Sequence, residues 1–352
     1  MKCCSNCFSS NYLNQIIINN RVIGNCDFCL SQNISIYNPT ELNLFFQNIL
    51  DLYEVNPDGD LIENQIIKDF NGKVFTEKLI TAKSTRKLLL EIVKDDAVDF
   101  SQLFEQPVQL KYITLDFEEV LIKPLELSWE NFSGEIKHIN RFHLVNNLDL
   151  EKLKSLFKHF SKELPKGKKF NRARICESPK GYSINEMGNP PIDKAKSGRA
   201  NPMGISYLYL GSDLDTALYE ARASLFDFVS VGEFRLEESI QVINLSNNTY
   251  DPFILAENDS LEEVMMHSQF IEKLNQELSK PRRRNDSELD YLPTQYISEL
   301  IKSMGYAGIE YQSSLYSSGY NLAIFTPEIF KCIDVKVYDI EEINLKSKLA
   351  IT

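Results

Sequence analysis

Two Cys-x2-Cys pairs, Cys4 with Cys7 and Cys26 with Cys29, constrain the start of this 352-residue chain more tightly than any other feature. Each pair can form a tight turn that points two sulfurs at one ion, and eighteen residues lie between the pairs. That spacing matches a four-thiolate zinc site. Five of the seven cysteines fall within the first 29 residues, while Cys176 and Cys332 are isolated. In a cytoplasmic chain this asymmetry points to metal rather than disulfides. Four thiolates leave no open coordination position, so the zinc is expected to be structural. Four buried free thiols are the alternative. Cys3 offers a second register, but Cys4 gives the better spacing. The Ile16-Ile17-Ile18 run between the pairs reads as a strand of a zinc ribbon.

The remaining composition excludes more than it assigns. Hydrophobic residues make up 43% of the chain and the mean hydropathy is −0.27, enough for a sizeable core in two or three domains. No apolar run approaches the roughly 20 residues of a membrane span, and no basic-then-apolar signal peptide opens the chain. The expectation is a cytoplasmic protein without a membrane partner. A net charge of −12 and a pI near 5.0 disfavour non-specific binding to a nucleic-acid backbone. One local basic cluster stands against that balance: Lys162, Lys166, Lys168, Lys169, Arg172 and Arg174.

Three segments follow from the patterning. Residues 1–37 form the cysteine module. Residues 38–150 read as mainly helical, with one helix after Pro39-Thr40 carrying Leu42, Phe45, Phe46, Ile49, Leu52 and Tyr53 on its apolar face. The Asn56-Pro57-Asp58-Gly59-Asp60 cluster reads as a turn, and Leu61–Phe70, Phe75–Ile80 and Thr85–Val93 as further helices. His138 and His143 flank Arg141 and read as structural residues. Residues 151–352 change to an α+β pattern, with short strands at Ile205–Leu210, Val229–Leu236, Gln241–Leu245, Ala307–Tyr311, Asn321–Phe325 and Ile333–Tyr338. Asp213 or Ser212 can cap a helix through Phe226, and Ser260-x-x-Glu263 reads as a capping box for a helix to about Leu278. Pro293–Met304 is a helix that Gly305 stops. The Lys280–Asp286 stretch, with Arg282, Arg283 and Arg284, reads as a solvated loop.

The chemistry concentrates around Gly198-Arg199-Ala200-Asn201-Pro202-Met203-Gly204, a cation on a glycine-flanked turn. Tyr207-Leu208-Tyr209-Leu210 then reads as a strand, and Glu220 follows on a helix with Ala217, Ala221 and Leu225. Arginine presents a planar fork of donors that suits a pyrophosphate, and Arg172 can supply a second one. A tyrosine ring such as Tyr209 can pack on a cationic pyridinium. A carboxylate among small and apolar residues can face a pocket and meet a ligand's positive end. A pyridine dinucleotide, anionic at one end and cationic at the other, fits the set. A simple Arg199–Glu220 salt bridge and a core role for Tyr209 remain open at this level.

The block Ser197–Ile205, then Leu208-Tyr209-Leu210, then Thr216–Arg222, resembles the RES family, and so do Pro293–Tyr296, Gly305–Ser314 and Gly319–Leu322. The resemblance spans roughly residues 165–330. It implies a fold related to the ADP-ribosyltransferases, a split β-sheet holding NAD in a cleft, here preceded by a helical domain and a small zinc module. The N-terminal region resembles the helical, HEPN-type region ahead of longer RES proteins, but the arginine-to-histidine nuclease signature is absent and no RNase activity is carried over. By the resemblance Arg172 (or Arg174) and Arg199 bind the pyrophosphate, and Tyr209 packs on the nicotinamide. Glu220 stabilises the ribosyl cation, Ser313 (or Ser314) positions the ribose or amide, and Asn321 supports. The tyrosine that short family members carry near the first arginine has no clear match. The implied activity is that of a bacterial toxin or defence effector that cleaves the nicotinamide–ribose bond of NAD, as a glycohydrolase or a phosphorylase. An ADP-ribosyltransferase is the alternative acceptor chemistry. A zinc-ribbon nucleic-acid-binding module with an inactive C-terminal domain is the alternative of another class. Expected partners are NAD and an antitoxin or phage-derived trigger, with a second copy of the chain left open.

Overall fold

The computed structural model describes residues 1–96, 100–113, 125–145, 148–246, 250–281 and 287–343. Arg282, Arg283 and Arg284 therefore lie outside the described residues. The chain divides into two compact units, Met1–Pro124 with Tyr250–Ser268, and Leu125–Thr249 with Gln269–Thr352.

The first unit opens with strands β1 (Cys3–Cys4), β2 (Ile23–Gly24) and β3 (Ile34–Tyr37), β3 pairing antiparallel with both others. The isoleucine run is not a strand. It lies in the helix Asn11–Asn19, because the Ser10 hydroxyl caps that helix by accepting the Leu13 N–H at 3.0 Å. Leu13 and Ile17, four residues apart, are buried on one helical face. Capping and helical spacing outweigh the strand preference of isoleucine here. Asp251 accepts from the Ser10 hydroxyl and from the Tyr12 N–H while capping its own helix, Pro252–Glu257. The helix expected after Pro39 is a 3-10 turn, Pro39–Leu42, followed by Asn43–Leu50, and Tyr53 instead starts strand β4 (Tyr53–Asp60). Strand β4 pairs with β5 (Val108–Leu110). The Asn56–Asp60 turn signal falls inside β4, where Val55 and Asp60 both oppose Val108. Its turn chemistry produces an irregularity within the strand rather than an end to it. Helices Ile62–Asp69, Glu77–Thr81 and Thr85–Ile92 lie where the sequence places them. Rings of Phe8, Phe46, Phe75 and Phe253 pack at 5.2–6.3 Å in the core. The helix expected from Ser260 to Leu278 breaks at the buried His267, giving Leu261–Met266 and Ser268–Ser279. Ser260 makes no side-chain cap, its hydroxyl donating instead to the Asn258 carbonyl.

The second unit is α+β. Among its described residues, eight strands form one sheet: β6 (Ser161–Leu164), β7 (Lys169–Cys176), β8 (Leu208–Gly211), β9 (Phe228–Leu236), β10 (Ile240–Asn244), β11 (Gly308–Gln312), β12 (Tyr320–Ile324) and β13 (Phe330–Asp339). Their order is β13-β9-β7-β8-β12-β11-β10-β6. Strand β7 runs alongside β9 over eight paired positions but meets β8 at one pair, Asn171 with Gly211. The sheet is thus two halves joined at a point. One face carries the apolar core, including Phe170, Leu208, Leu210, Phe234, Leu322 and Ile324. Each such side chain contributes about 2 kcal/mol by burial, so this face anchors both halves. Strand alternation puts Tyr209 on the opposite face, and register places Ala323 beside Tyr209 and Asn321 between Gly211 and Tyr311.

Candidate active site

The helix that carries Glu220 is held close to the split by missing side chains. A Cβ on Gly211 would sit 2.9 Å from the Ala217 backbone nitrogen, and one on Gly319 would overlap the Thr216 hydroxyl. Asp213 caps the helix by accepting from the Thr216 N–H at 2.8 Å. The helix runs Leu214–Ala221 and stops at Arg222 in the left-handed conformation, φ 54°. It does not reach Phe226, so Leu225 does not share it. Glu220 therefore lies in the last turn, where the helix dipole disfavours a carboxylate. Two side chains, Ser313 just after β11 and Asn321 on β12, offset this. The Ser313 hydroxyl and the Asn321 amide each donate to Glu220 Oε1 at 2.7 Å. Among the described residues Oε2 accepts no hydrogen bond, and the side chain is exposed. The Ser314 hydroxyl turns away to the Ser279 carbonyl.

Beneath Glu220 a cavity of about 300 Å³ opens at the junction of the two half-sheets, lined by Asn171, Arg172, Tyr209, Tyr311 and Asn321 among others. Its size lies at the lower end of small-ligand pockets, room for a ring and a sugar rather than a whole dinucleotide. The Tyr209 hydroxyl donates to Asn201 Oδ1 at 2.7 Å, and burial pushes its pKa well above the usual phenol value. Asn201 is itself buried, its amide donating to the carbonyls of Lys196, Pro202 and Ile205. Gln295 clamps the same loop through the carbonyls of Gly198 and Asn201. Ordinary amide residues thus fix the tyrosine. Sequence reading quoted Asn201 and Gln295 in motifs but gave them no role, since nothing local marks a hydrogen-bond hub. Tyr311 was likewise missed as a wall of the cavity; its cross-strand position opposite Asn321 is the signal that could have found it.

The two arginines are placed differently. Arg172 lines the cavity, yet its guanidinium donates to the carbonyls of Met187, at 2.6 Å, and Gly188. Burial, then the neighbouring Arg174, lowers its pKa to about 10, so it is still a cation at neutral pH. The Arg174 guanidinium donates to the Glu186 carbonyl and lies over the Tyr182 ring. Arg199 donates to the Glu277 carbonyl at 3.2 Å and lies 4.8 Å over the Tyr291 ring. Among the described residues Glu220 pairs with Ser313 and Asn321 rather than with Arg199. The structure brings together Glu220, Ser313, Asn321 and Tyr209, with Arg172 at the cavity wall; Arg199 does not line the cavity and is held at the Glu277 carbonyl and the Tyr291 ring.

The cysteines form a separate cluster in the first unit. The sulfurs of Cys4, Cys7, Cys26 and Cys29 all lie within 4.8 Å of one another and are buried. Cys4 is 3.9 Å from Cys7 and 3.4 Å from Cys29, and Cys7 is 3.5 Å from Cys26. A tetrahedron with metal–sulfur bonds of about 2.3 Å has edges of about 3.8 Å, so the four sulfurs fit one ion. The backbone N–H groups of Phe28 and Cys29 donate to the Cys26 sulfur. Cys3 lies outside the cluster, against the Tyr37 carbonyl.

No helix among the described residues is long and apolar enough to cross a membrane. No curated protein matches the chain. Among solved structures, the toxin–antitoxin complex MbcT–MbcA of M. tuberculosis is similar at 11% identity and a TM-score of 0.32, over 54% of this chain and 93% of that one. That likeness is too distant to bear on function. Residues 173–345, which hold Tyr209, Glu220, Ser313 and Asn321, match the RES domain.

Proposed function

We propose that the chain is a toxin or defence effector of the bacterial cytoplasm that depletes NAD by cleaving the bond between nicotinamide and its ribose. The observation that carries this reading is Glu220 itself. One oxygen is pinned by Ser313 and Asn321, the other is open, and the carboxylate stands over a cavity with two tyrosines in its wall. The match of residues 173–345 to the RES domain supports the same chemistry.

In the reaction the C1″–N bond to nicotinamide breaks with both electrons passing to the pyridine nitrogen. Nicotinamide leaves neutral, so no strong acid is needed, and positive charge develops on the ribose, as in glycoside hydrolysis. Glu220 Oε2 accepts from the ribose hydroxyls and its charge opposes that cation, an interaction stronger in the transition state than in the ground state. Tyr209, fixed by Asn201, packs beside the nicotinamide ring. Arg172 and Arg199 exchange their carbonyl partners for the pyrophosphate. Water then adds at C1″ and releases a proton to give ADP-ribose, or inorganic phosphate adds there to give ADP-ribose 1″-phosphate. A macromolecular acceptor would make the chain an ADP-ribosyltransferase. An antitoxin or trigger protein is its proposed partner, and nucleic acid is not.

The cysteine cluster is proposed to hold one structural zinc through Cys4, Cys7, Cys26 and Cys29, whose chemistry there is to tie the N-terminal module together. The decisive experiment for the enzyme is incubation of the purified chain with NAD, with and without phosphate. Free nicotinamide with ADP-ribose, or with its phosphate ester, supports the reading. Intact NAD after prolonged incubation with folded chain, alone and with cell extract, argues for the inactive binding module instead.

A further inference from the structure

Polar side chains in the cavity are mostly spoken for. The hydroxyl of Tyr209 is used by Asn201, and Ser313 and the Asn321 amide by Glu220. Tyr311 is different. It lines the cavity at 7% exposure, and among the described residues its hydroxyl makes no hydrogen bond. That hydroxyl is not one of the sealed, unsatisfied atoms of the described residues, so it opens to the cavity, where a ligand acceptor can meet it. Its surroundings keep it a donor: burial, then Tyr209 and Glu220, hold its pKa well above the usual phenol value. The rest of the lining includes the small residues Ala173, Gly211, Ala217 and Ala221, the amide of Asn171, and Arg172, whose guanidinium is engaged by the Met187 and Gly188 carbonyls.

We propose that Tyr311 is a substrate-contacting residue that donates its hydroxyl to the carboxamide oxygen of the nicotinamide ring. This rests on the NAD reading above. A cavity of about 300 Å³ takes the nicotinamide–ribose end of the molecule. That end carries two kinds of polar group. Ribose hydroxyls are donors suited to the open oxygen of Glu220, and the carboxamide oxygen is an acceptor suited to a neutral phenol. Tyr311 stands opposite Asn321 in the sheet, so the anchor of Glu220 and the reader of the ring are cross-strand neighbours. One strand pair then sets the distance between the cation-stabilising group and the leaving group.

The test compares wild type with Tyr311→Phe, which keeps the ring and removes the hydroxyl. Three substrates are used: NAD, its 3-acetylpyridine analogue, which keeps the carbonyl oxygen and lacks the amide nitrogen, and its thionicotinamide analogue, in which sulfur replaces the oxygen. NAD binding is measured separately by calorimetry on the Glu220→Gln chain with and without Tyr311→Phe. The expected result is a loss of about three- to tenfold in kcat/KM for NAD and for the acetylpyridine analogue, with little change for the thio analogue. The preference for oxygen over sulfur collapses, which a merely structural residue would not produce. Equal losses on all three substrates, or none, overturn the assignment while leaving NAD cleavage standing. Absence of NAD binding and of cleavage by the wild-type chain overturns both.

Discussion

Gly211 of β8 stands opposite Asn171 of β7, and this pair is where the two halves of the sheet meet. Beyond it the strands part, and the cavity under Glu220 occupies the gap. The same glycine lets the helix Leu214–Ala221 approach, since a Cβ there would press on the Ala217 backbone. Sheet junction and helix approach thus both depend on Gly211, with Gly319 making room for Thr216 of the same helix.

Gly211→Ala should force the helix outward, because the obstruction at 2.9 Å is backbone and cannot rotate away. Overpacking of this kind costs about 1–3 kcal/mol. The expected outcome is a lower urea midpoint with unchanged m-value, and a larger loss of nicotinamide release because Glu220 moves with its helix. A variant with the wild-type midpoint and rate would show that this approach does not set the site.

Arg199→Lys keeps the charge but loses the planar fork. Its bond to the Glu277 carbonyl and its position over Tyr291 contribute to stability, at about 1 kcal/mol together. The account expects the KM for NAD to rise about tenfold with kcat little changed, the signature of lost ground-state and transition-state binding alike. A drop of several kcal/mol in stability with an unchanged KM would assign Arg199 to the framework instead.

For the cysteine cluster the expected stoichiometry is one zinc per folded chain, retained through dialysis and lost with strong chelator. Elemental analysis of wild type and of Cys26→Ser checks it, and the variant should hold substantially less. Folded wild-type protein free of zinc, or a disulfide between Cys4 and Cys26 under reducing conditions, would remove the metal from the account.

Much of this was readable in the residues. The strands from Val229, Gln241, Ala307 and Asn321 and the helix before Gly305 follow from local alternation and capping, which the fold does not override. Glu220 lies more than ninety residues from Ser313 and Asn321; all three are legible in motifs, and the structure brings both within hydrogen-bonding distance of Glu220. What sequence could not give depends on tertiary contacts. Ile16–Ile18 became helical because Ser10 caps the segment and Leu13 and Ile17 bury one face. The long helix after Ser260 breaks at His267, next to the boundary between units. The carbonyl partners of Arg172, at Met187 and Gly188, lie across a loop whose path no local pattern encodes. Tyr311 gained its interest only when the partners of every neighbouring hydroxyl were known.

The most direct measurement of the central claim is nicotinamide release by Glu220→Gln, made alongside NAD affinity on the same protein. Glutamine keeps the size and can still accept from Ser313 and Asn321, but it removes the charge that opposes the ribosyl cation. Near-normal NAD binding with cleavage reduced by about 10²–10³-fold is the expected result, and cells expressing the variant should keep their NAD. Nicotinamide release at the wild-type rate would falsify the role of Glu220 and, with it, the proposed chemistry.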